Sequence, residues 1–596
     1  VAFVTASSEG ELRTMTIDRW ITDTRASNRF VYYTRANADE VGPEPFSPLG
    51  WSLGWGRGCI PGTAAGFVDF GAVRWDEFDV DPPEVFGNWG GYFYNQLSLP
   101  RVMGARMPGA SPAAIDQAYF GDHPGIPVYE PHPGDDDEAQ SALLAQRMGW
   151  AMSTDGYPLQ EHEAQRAREA VRSRPHLGAL DDTELVARAR DMAQQLQDAW
   201  RPYCVVCLAA SLGPGAVQAV CAALGRPHDA VAVMTAVGDV ESAGASFALW
   251  DLSRHVSASH ELTMAFDLGV DDVLDRLAAS GSAHARRFLD GWANFIADHG
   301  HRGPNEWDLR PHSWTTDPTM PLRMLERMRF QTEERSPHTA QVRNAAERER
   351  LTTELVAAAA EIDAELAGSL EAGIRSAGVF FALRERGKNT CIRLIHEAKL
   401  ALYELGDRMV QRGHLPNREV LFNLVDAELE TFLADPASFT ATLVAREATY
   451  QLLHDLEPPY IVGADRGFPP ISQWARRGAI DAEVATAGSV LQGGPGAPGV
   501  VTGRARIVRD PSDPFAIEPG DILVAATTDP AWTPLFLSAA GVVVNVGAVA
   551  SHAVIVSREL GVPCAVSVVQ ATERIPDGAT ITVDGSTGTV TILDVG

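Results

Sequence analysis

In the run Asn545-Val-Gly547-Ala-Val-Ala-Ser551-His552-Ala-Val-Ile-Val-Ser-Arg-Glu-Leu-Gly-Val-Pro563, one histidine stands where an apolar strand, Gly541 to Val546, turns through small residues into a short helix. A neutral imidazole is a good nucleophile, and the N–H groups and positive dipole end of a helix N-terminus favour both the neutral ring and an arriving dianion. The chemistry expected of His552 is therefore phosphoryl carriage. Ser551 is placed to cap the helix, and Gly547, Ala548 and Ala550 keep the approach open. An isolated Ser-His pair before a helix would more simply start that helix, so the flanking strings must decide.

A second cluster has the complementary chemistry. Phe381-Ala-Leu-Arg384-Glu385-Arg-Gly-Lys388-Asn-Thr-Cys-Ile-Arg393 is a basic patch in an acidic chain, and Leu394, Ala398, Leu402 and Leu405 continue it as an amphipathic helix. Arg384 and Lys388 lie one turn apart on one side of that helix. Such a charge set is ordinarily a solvated face, but phosphoryl transfer needs cations for the migrating group and a base near the acceptor hydroxyl, and Arg384, Lys388 and Glu385 supply those types. Asp298-His299-Gly-His301-Arg302-Gly-Pro-Asn305-Glu306 ends another helix. His-x-His with a nearby Glu can ligate zinc, yet no second His pair supports it. A structural polar network is the simpler reading, and a third is a pocket end in which Arg302 receives phosphate oxygens bidentately.

The elements that carry these groups follow from composition and pattern. The chain of 596 residues is 45% apolar and 21% charged, which suits a soluble protein of two or three domains. Its net charge of −29 argues against a nucleic-acid surface or docking on anionic lipid. No stretch reads as a membrane span, and no basic-then-apolar leader opens the chain. Low thiol density suits a cytoplasmic setting, and Cys204-Val-Val-Cys207 reads as a buried helix face rather than half a zinc site. Residues 1–30 are a polar leading segment. The Pro- and Gly-rich run from Thr34 to Leu49, with Trp51 and Trp55, is expected to be ordered but irregular, and Tyr92-Phe-Tyr94-Asn95 a short strand. The Asp135–Glu138 acidic run reads as a solvated tip. Ala-rich segments near 160–200, 205–224, 239–300, 337–375 and 379–412 have helical apolar spacing, making 31–480 a mainly α-helical body. A Gly/Pro stretch within 481–498 reads as a hinge, and 499–596, with β-branched strands and Asp-Gly turns, as a C-terminal α/β domain.

Gly499-Val-Val-Thr-Gly-Arg-Ala-Arg-Ile-Val508, Pro519-Gly-Asp-Ile-Leu-Val524, Thr528-Asp-Pro-Ala-Trp-Thr-Pro-Leu535, the His552 run and Val583-Asp-Gly585 together resemble the swivelling phosphohistidine domain of phosphoenolpyruvate-utilising enzymes. Ala548 departs from the family, which usually has a second glycine there. In the body, Thr34-Arg-Ala-Asn37-Ala-Asp-Glu40, Gly238-Asp-Val-Glu-Ser242, Gly300-His-Arg-Gly-Pro-Asn-Glu306 and Arg384-Glu-Arg-Gly-Lys388 resemble the substrate domain of rifampin phosphotransferases. The resemblance implies that Arg384, Glu385 and Lys388 lie beside the phosphohistidine at the acceptor site, and that Asn37 and Glu40 border the same pocket.

In that family an ATP-grasp domain charges the histidine. Only about thirty residues stand before the Thr34 string, too few for a nucleotide-binding domain, and no Gly-rich phosphate loop appears. The arrangement is similar to the two-subunit synthases that phosphorylate phenols. It implies a partner ATP-grasp subunit that binds ATP and Mg²⁺ and charges His552, releasing AMP and phosphate. The acceptor expected on this resemblance is a phenol or 4-alkylphenol such as p-cresol, with Glu385, His299 or His301 taking the proton. A rifamycin-type acceptor and a phosphocarrier acting on another protein are the alternatives. No metal ligand is assigned within the chain.

Overall fold

The computed structural model describes residues 18–120, 125–235, 241–477, 482–509, 516–528, 532–547 and 551–595. The protein is mainly helical, with a mixed sheet at its C-terminal end. Two long helices form the spine of the body. Asp182–Ala209 begins at Asp181, whose carboxylate accepts from the Glu184 N–H while Glu184 reciprocates, and Ala364–Gln411 begins at Asp363, which accepts from Glu365. Their apolar stripes, including Leu185, Leu196 and Trp200 on one and Ile392, Ile395 and Leu402 on the other, meet in the largest core. Gly387 permits the closest approach: a Cβ there would stand 2.6 Å from Cδ2 of Tyr203. That contact brings the Arg384–Lys388 turn against the Asp182–Ala209 helix.

A four-stranded antiparallel sheet, ordered Phe86–Trp89, Tyr92–Gln96, Tyr32–Thr34 and Ile461–Gly463, caps one end of the body. It delivers the Asn37–Glu40 segment to the cleft. Asn37 turns the chain at φ 59°, in the left-handed region that Asn tolerates better than most residues, and the short Ala38–Val41 helix follows. A second helical cluster, built from Glu241–Ser257, Ala283–His299 and Thr319–Met328 among others, has its own core around Phe266, Phe288, Trp292 and Leu325.

In the C-terminal region, the strands Val500–Ile507, Ile522–Ala525, Gly541–Val544 and Cys564–Val566 pair in parallel at the centre of an eight-stranded sheet. The His552–Leu560 helix is the crossover from Gly541–Val544 to Cys564–Val566. The body donates to three main-chain carbonyls of the C-terminal region: Arg327 to that of Ile517 at 2.7 Å, Asn344 to that of Arg558 at 3.0 Å, and Arg335 to that of Ala539 at 3.4 Å. Leu537 joins the core of the second helical cluster.

Several expectations are corrected. Residues Val490–Gln492 and Gly494–Ala497 are not linker but the two outer strands of the C-terminal sheet, where Gly and Pro are tolerated because one face of the ladder is open. Within the leading segment, Trp20 and Phe30 are buried, while residues 1–17 lie outside the described residues. Trp51 and Trp55 sit on a π-helical stretch, Gly50–Cys59, that runs into the Ile60–Phe70 helix. The helix break expected near 376–378 falls at Asp363 instead, because its extended backbone and capping side chain start the next helix. Asp135 is no solvated tip: it is buried and takes hydrogen bonds from Arg29, Tyr129 and the His132 N–H. Asp182–Ala223 and Ala364–Gln411 are long and apolar enough to cross a membrane by length and composition, contrary to the reading of the sequence, but their apolar stripes pack in the body core.

Candidate functional site

His552 is the first residue of its helix, with Ser551 as N-cap accepting from the Val554 N–H at 3.4 Å. The ring is 7% exposed, its Nδ1 lies 3.0 Å from Thr528 Oγ1, and Phe536 meets it edge-on. Burial, reinforced by the cations Lys388 and Arg302, holds its pKa well below that of an ordinary histidine, so the imidazole is neutral. A neutral ring keeps one nitrogen lone pair for attack. Gly547 approaches Ser551 and Val566 closely; a Cβ there would stand 3.1 Å from each. Ala548 and Ala550 lie outside the described residues, as do Gly238, Asp239 and Asp529 of the resemblance strings.

The helical body surrounds this ring with charge. The His552 backbone N–H donates to Glu40 Oε1 at 2.8 Å, across 512 positions of sequence. Glu40 is raised above the ordinary carboxylate range by burial, against the pull of Arg384, the His552 N–H and Lys388. Glu306, buried, bridges two cations: Arg302 Nε at 2.9 Å and Lys388 Nζ at 3.1 Å. Burial alone would raise Glu306, and those two cations hold it below its usual value instead. Burial opposes the charge of Arg384, but Tyr203, Cys207, Glu385 and Glu40 outweigh it and keep the guanidinium protonated. The site thus gathers Arg384, Lys388, Arg302, Glu40 and Glu306 around one neutral imidazole.

Residues 203–385 match the family described as "Rifampicin phosphotransferase fourth domain", and residues 517–588 match "PEP-utilising enzyme, mobile domain". Together these matches support a member of the phosphoenolpyruvate-utilising enzyme family. Among relatives, it is 30% identical to rifampicin phosphotransferase of Streptomyces sviceus over 60% of this chain and 40% of that protein. It is 33% identical to the uncharacterised phosphotransferase YvkC of Bacillus subtilis, over 33% of this chain and 24% of that one. An uncharacterised protein of Mycobacterium tuberculosis aligns at 25% identity over 96% of this chain and 63% of its own length. The chain thus spans less than half the length of the first two relatives.

The cleft between sheet domain and body is wide. A cavity of 2210 Å³ runs along it, with Asn37, Glu40, Arg384, Thr528 and Gly547 on its wall and Trp55, Trp200, Tyr203 and Trp307 forming an aromatic face. Cys204 and Cys207 both border the same cavity, and Cys204 Sγ donates to the Thr63 carbonyl. Not every residue singled out from the sequence faces it. Glu385 is buried on the same helix as Arg384 without lining the cavity. His301 is tied to the Asn389 side chain, which in turn donates to Glu241, and burial holds it neutral. His299 packs on Phe295, and burial with Arg302 and Arg393 lowers it to about 4. His301 is therefore part of a polar network while His299 makes a ring contact, and among the described residues no cluster of three His, Cys, Asp or Glu side chains is arranged for a metal ion. Sequence reasoning missed Thr528 as the partner of the imidazole, although it opens one of the strings that carried the resemblance.

Proposed function

We propose that this chain is the carrier-and-acceptor part of a phosphotransferase: His552 is charged by an ATP-grasp nucleotide-binding subunit and passes the phosphoryl group to a hydroxyl of an aromatic compound held in the cavity. The observation that carries this reading is the placement of the buried, neutral His552 against Glu40, with Arg384 and Lys388 acting on Glu40 and Lys388 and Arg302 on His552, beside an aromatic-faced cavity lined by Glu40, Arg384 and Thr528. ATP and Mg²⁺ belong to the donor subunit and supply the phosphoryl group, with AMP and phosphate as by-products. With Nδ1 engaged by Thr528, Nε2 is the nitrogen that carries the group.

Transfer follows from the charges. The acceptor hydroxyl attacks phosphorus while the bond to Nε2 breaks, and the proton on Nδ1, held by Thr528 Oγ1, lets the ring leave as neutral imidazole. Arg384 and Lys388 stabilise the charge spread over the phosphoryl oxygens in a low-dielectric site. Because His552 is enclosed in this arrangement, the sheet domain swings away to meet its donor.

The volume bears on the acceptor. At 2210 Å³ the cleft exceeds the roughly 300–1,000 Å³ of ordinary small-molecule sites. This favours a large ring-bearing acceptor, of the rifamycin type that gives the related phosphotransferases their name, over the p-cresol-sized phenol expected from the sequence. An enclosed aromatic face also counts against a carrier that serves only another protein. The test is to mix the chain with an ATP-grasp partner and ATP labelled at the β-phosphate, then offer rifampicin and p-cresol in parallel. Label on one histidine, lost in His552→Ala, with faster discharge by rifampicin is expected; label that persists in His552→Ala refutes the assignment.

A further inference from the structure

The proposed transfer releases a hydroxyl proton, and the residues expected to take it do not stand where it is released. His301 is engaged by Asn389, His299 packs on Phe295 with its pKa lowered to about 4, and Glu385 does not line the cavity as Glu40 does; nearby, Glu306 is locked between Arg302 and Lys388. Other acids on the cavity wall are occupied or remote. Glu44 holds His454 and Arg477, each at 2.8 Å, and Asp39 pairs with Arg35. Glu40 differs from all of these. It lines the cavity, and its Oε1 already contacts the residue that carries the phosphoryl group.

We propose that Glu40 is the general base of the transfer. The role rests on the phosphohistidine reading above. The hydroxyl oxygen forms its bond to phosphorus, the phosphorus–Nε2 bond breaks with its electron pair going to the ring, and the hydroxyl proton passes to the Glu40 carboxylate, which later returns it to solvent. Geometry sets the role: the carboxylate hangs from the Ala38–Val41 helix on the body side of the cleft, so it meets the carrier only when the sheet domain is docked. A base that is present only in the docked arrangement confines hydroxyl activation to the moment of transfer. Burial raises the carboxylate above its ordinary value and so strengthens it as a base, against the pull of Arg384, the His552 N–H and Lys388. The groups that face it are Arg384, Lys388 and Glu385 from the long helix and His552 from the sheet domain.

The experiment needs no partner. The whole chain is charged with phosphoramidate as phosphoryl donor, and loss of phosphohistidine is followed by intact mass between pH 5 and 9, in buffer alone and with rifampicin or p-cresol added. In the wild type, discharge to water and to added acceptor rises with pH as Glu40 loses its proton. Glu40→Gln retains a carbonyl for the His552 N–H, so charging stays within about twofold, while discharge falls by about 10² and its pH dependence flattens. Glu361→Gln, an exposed acid on the Pro337–Ile362 helix away from the cavity, leaves both unchanged. Wild-type discharge with an unaltered pH profile in Glu40→Gln overturns the proposal. So does equal loss of charging and discharge, which makes Glu40 a positioning residue only. If neither acceptor accelerates discharge, the acceptor reading fails while the water arm still decides for Glu40; a chain that takes no phosphoryl group at His552 overturns the carrier reading and this role together.

Discussion

Thr528→Val isolates one hydrogen bond at the reacting ring. Valine keeps the volume and removes Oγ1, which stands 3.0 Å from His552 Nδ1. In the proposed carrier that oxygen accepts the Nδ1 proton, which fixes the tautomer in which Nε2 holds the lone pair. Because both partners are buried, the variant leaves a polar N–H with nowhere to bond, at a cost of about 1–3 kcal/mol. The ring escapes that cost by moving its proton to Nε2 or by rotating, and either removes the nucleophile from its aim. At about 1.4 kcal/mol per tenfold in rate, charging of His552 by phosphoramidate falls roughly 5- to 150-fold. Nitrogen-15 spectra of histidine-labelled protein read the tautomer directly, and intact mass reads the rate. Unchanged tautomer and unchanged charging in the valine variant would refute the role given to Thr528, and with it the choice of Nε2 as carrier.

Two further outcomes follow from the same geometry. Lys388→Gln removes a cation from the phosphoryl group but leaves Glu306 its bond to Arg302 at 2.9 Å, so the local fold stands; single-turnover transfer from phosphorylated His552 falls about 10²–10³-fold, the cost of one lost stabilising group of about 2.7–4 kcal/mol, while charging changes little. Glu559, buried on the His552 helix, is raised to about 7 by burial. The folded chain therefore retains a proton there that the unfolded chain releases near the ordinary glutamate value. Stability falls as pH rises through that interval, and above pH 7 the whole burden is present. Glu559→Gln accordingly raises the unfolding free energy measured by urea titration at pH 8.5, by roughly 3 kcal/mol, and much less at pH 5; equal effects at both pH values would contradict it.

The local parts of the site were legible in the sequence and its long-range closure was not. Strand Gly541–Val546, small-residue turn and helix announce His552 within twenty residues, because strand and helix periods and an N-cap are local signals. The four-residue spacing of Arg384 and Lys388 likewise puts both on one helix side. Nothing local links Thr528 to His552, since the contact is made by two neighbouring parallel strands delivering their C-terminal ends together. Glu40 reaches His552 only through the docking of one domain on another. The same limit explains the misplaced linker: Gly493–Gly499 looks like a breaker in isolation, and becomes sheet because Cys564–Val566 offers it a partner. His301 looked like a ligand or a base because the sequence does not show that Asn389 claims it.

Besides the packing of Leu537, the body grips the sheet domain at three peptide carbonyls, those of Ile517, Ala539 and Arg558. Every residue has that carbonyl. Mutations across the docked face of the carrier therefore leave these bonds in place so long as the backbone holds its course, and evolution is free to rewrite that surface for other purposes. A surface so freed can be shaped to suit whichever donor must charge the histidine, while the acceptor side continues to recognise it. Two masters served by one carrier need not compete for the same side chains.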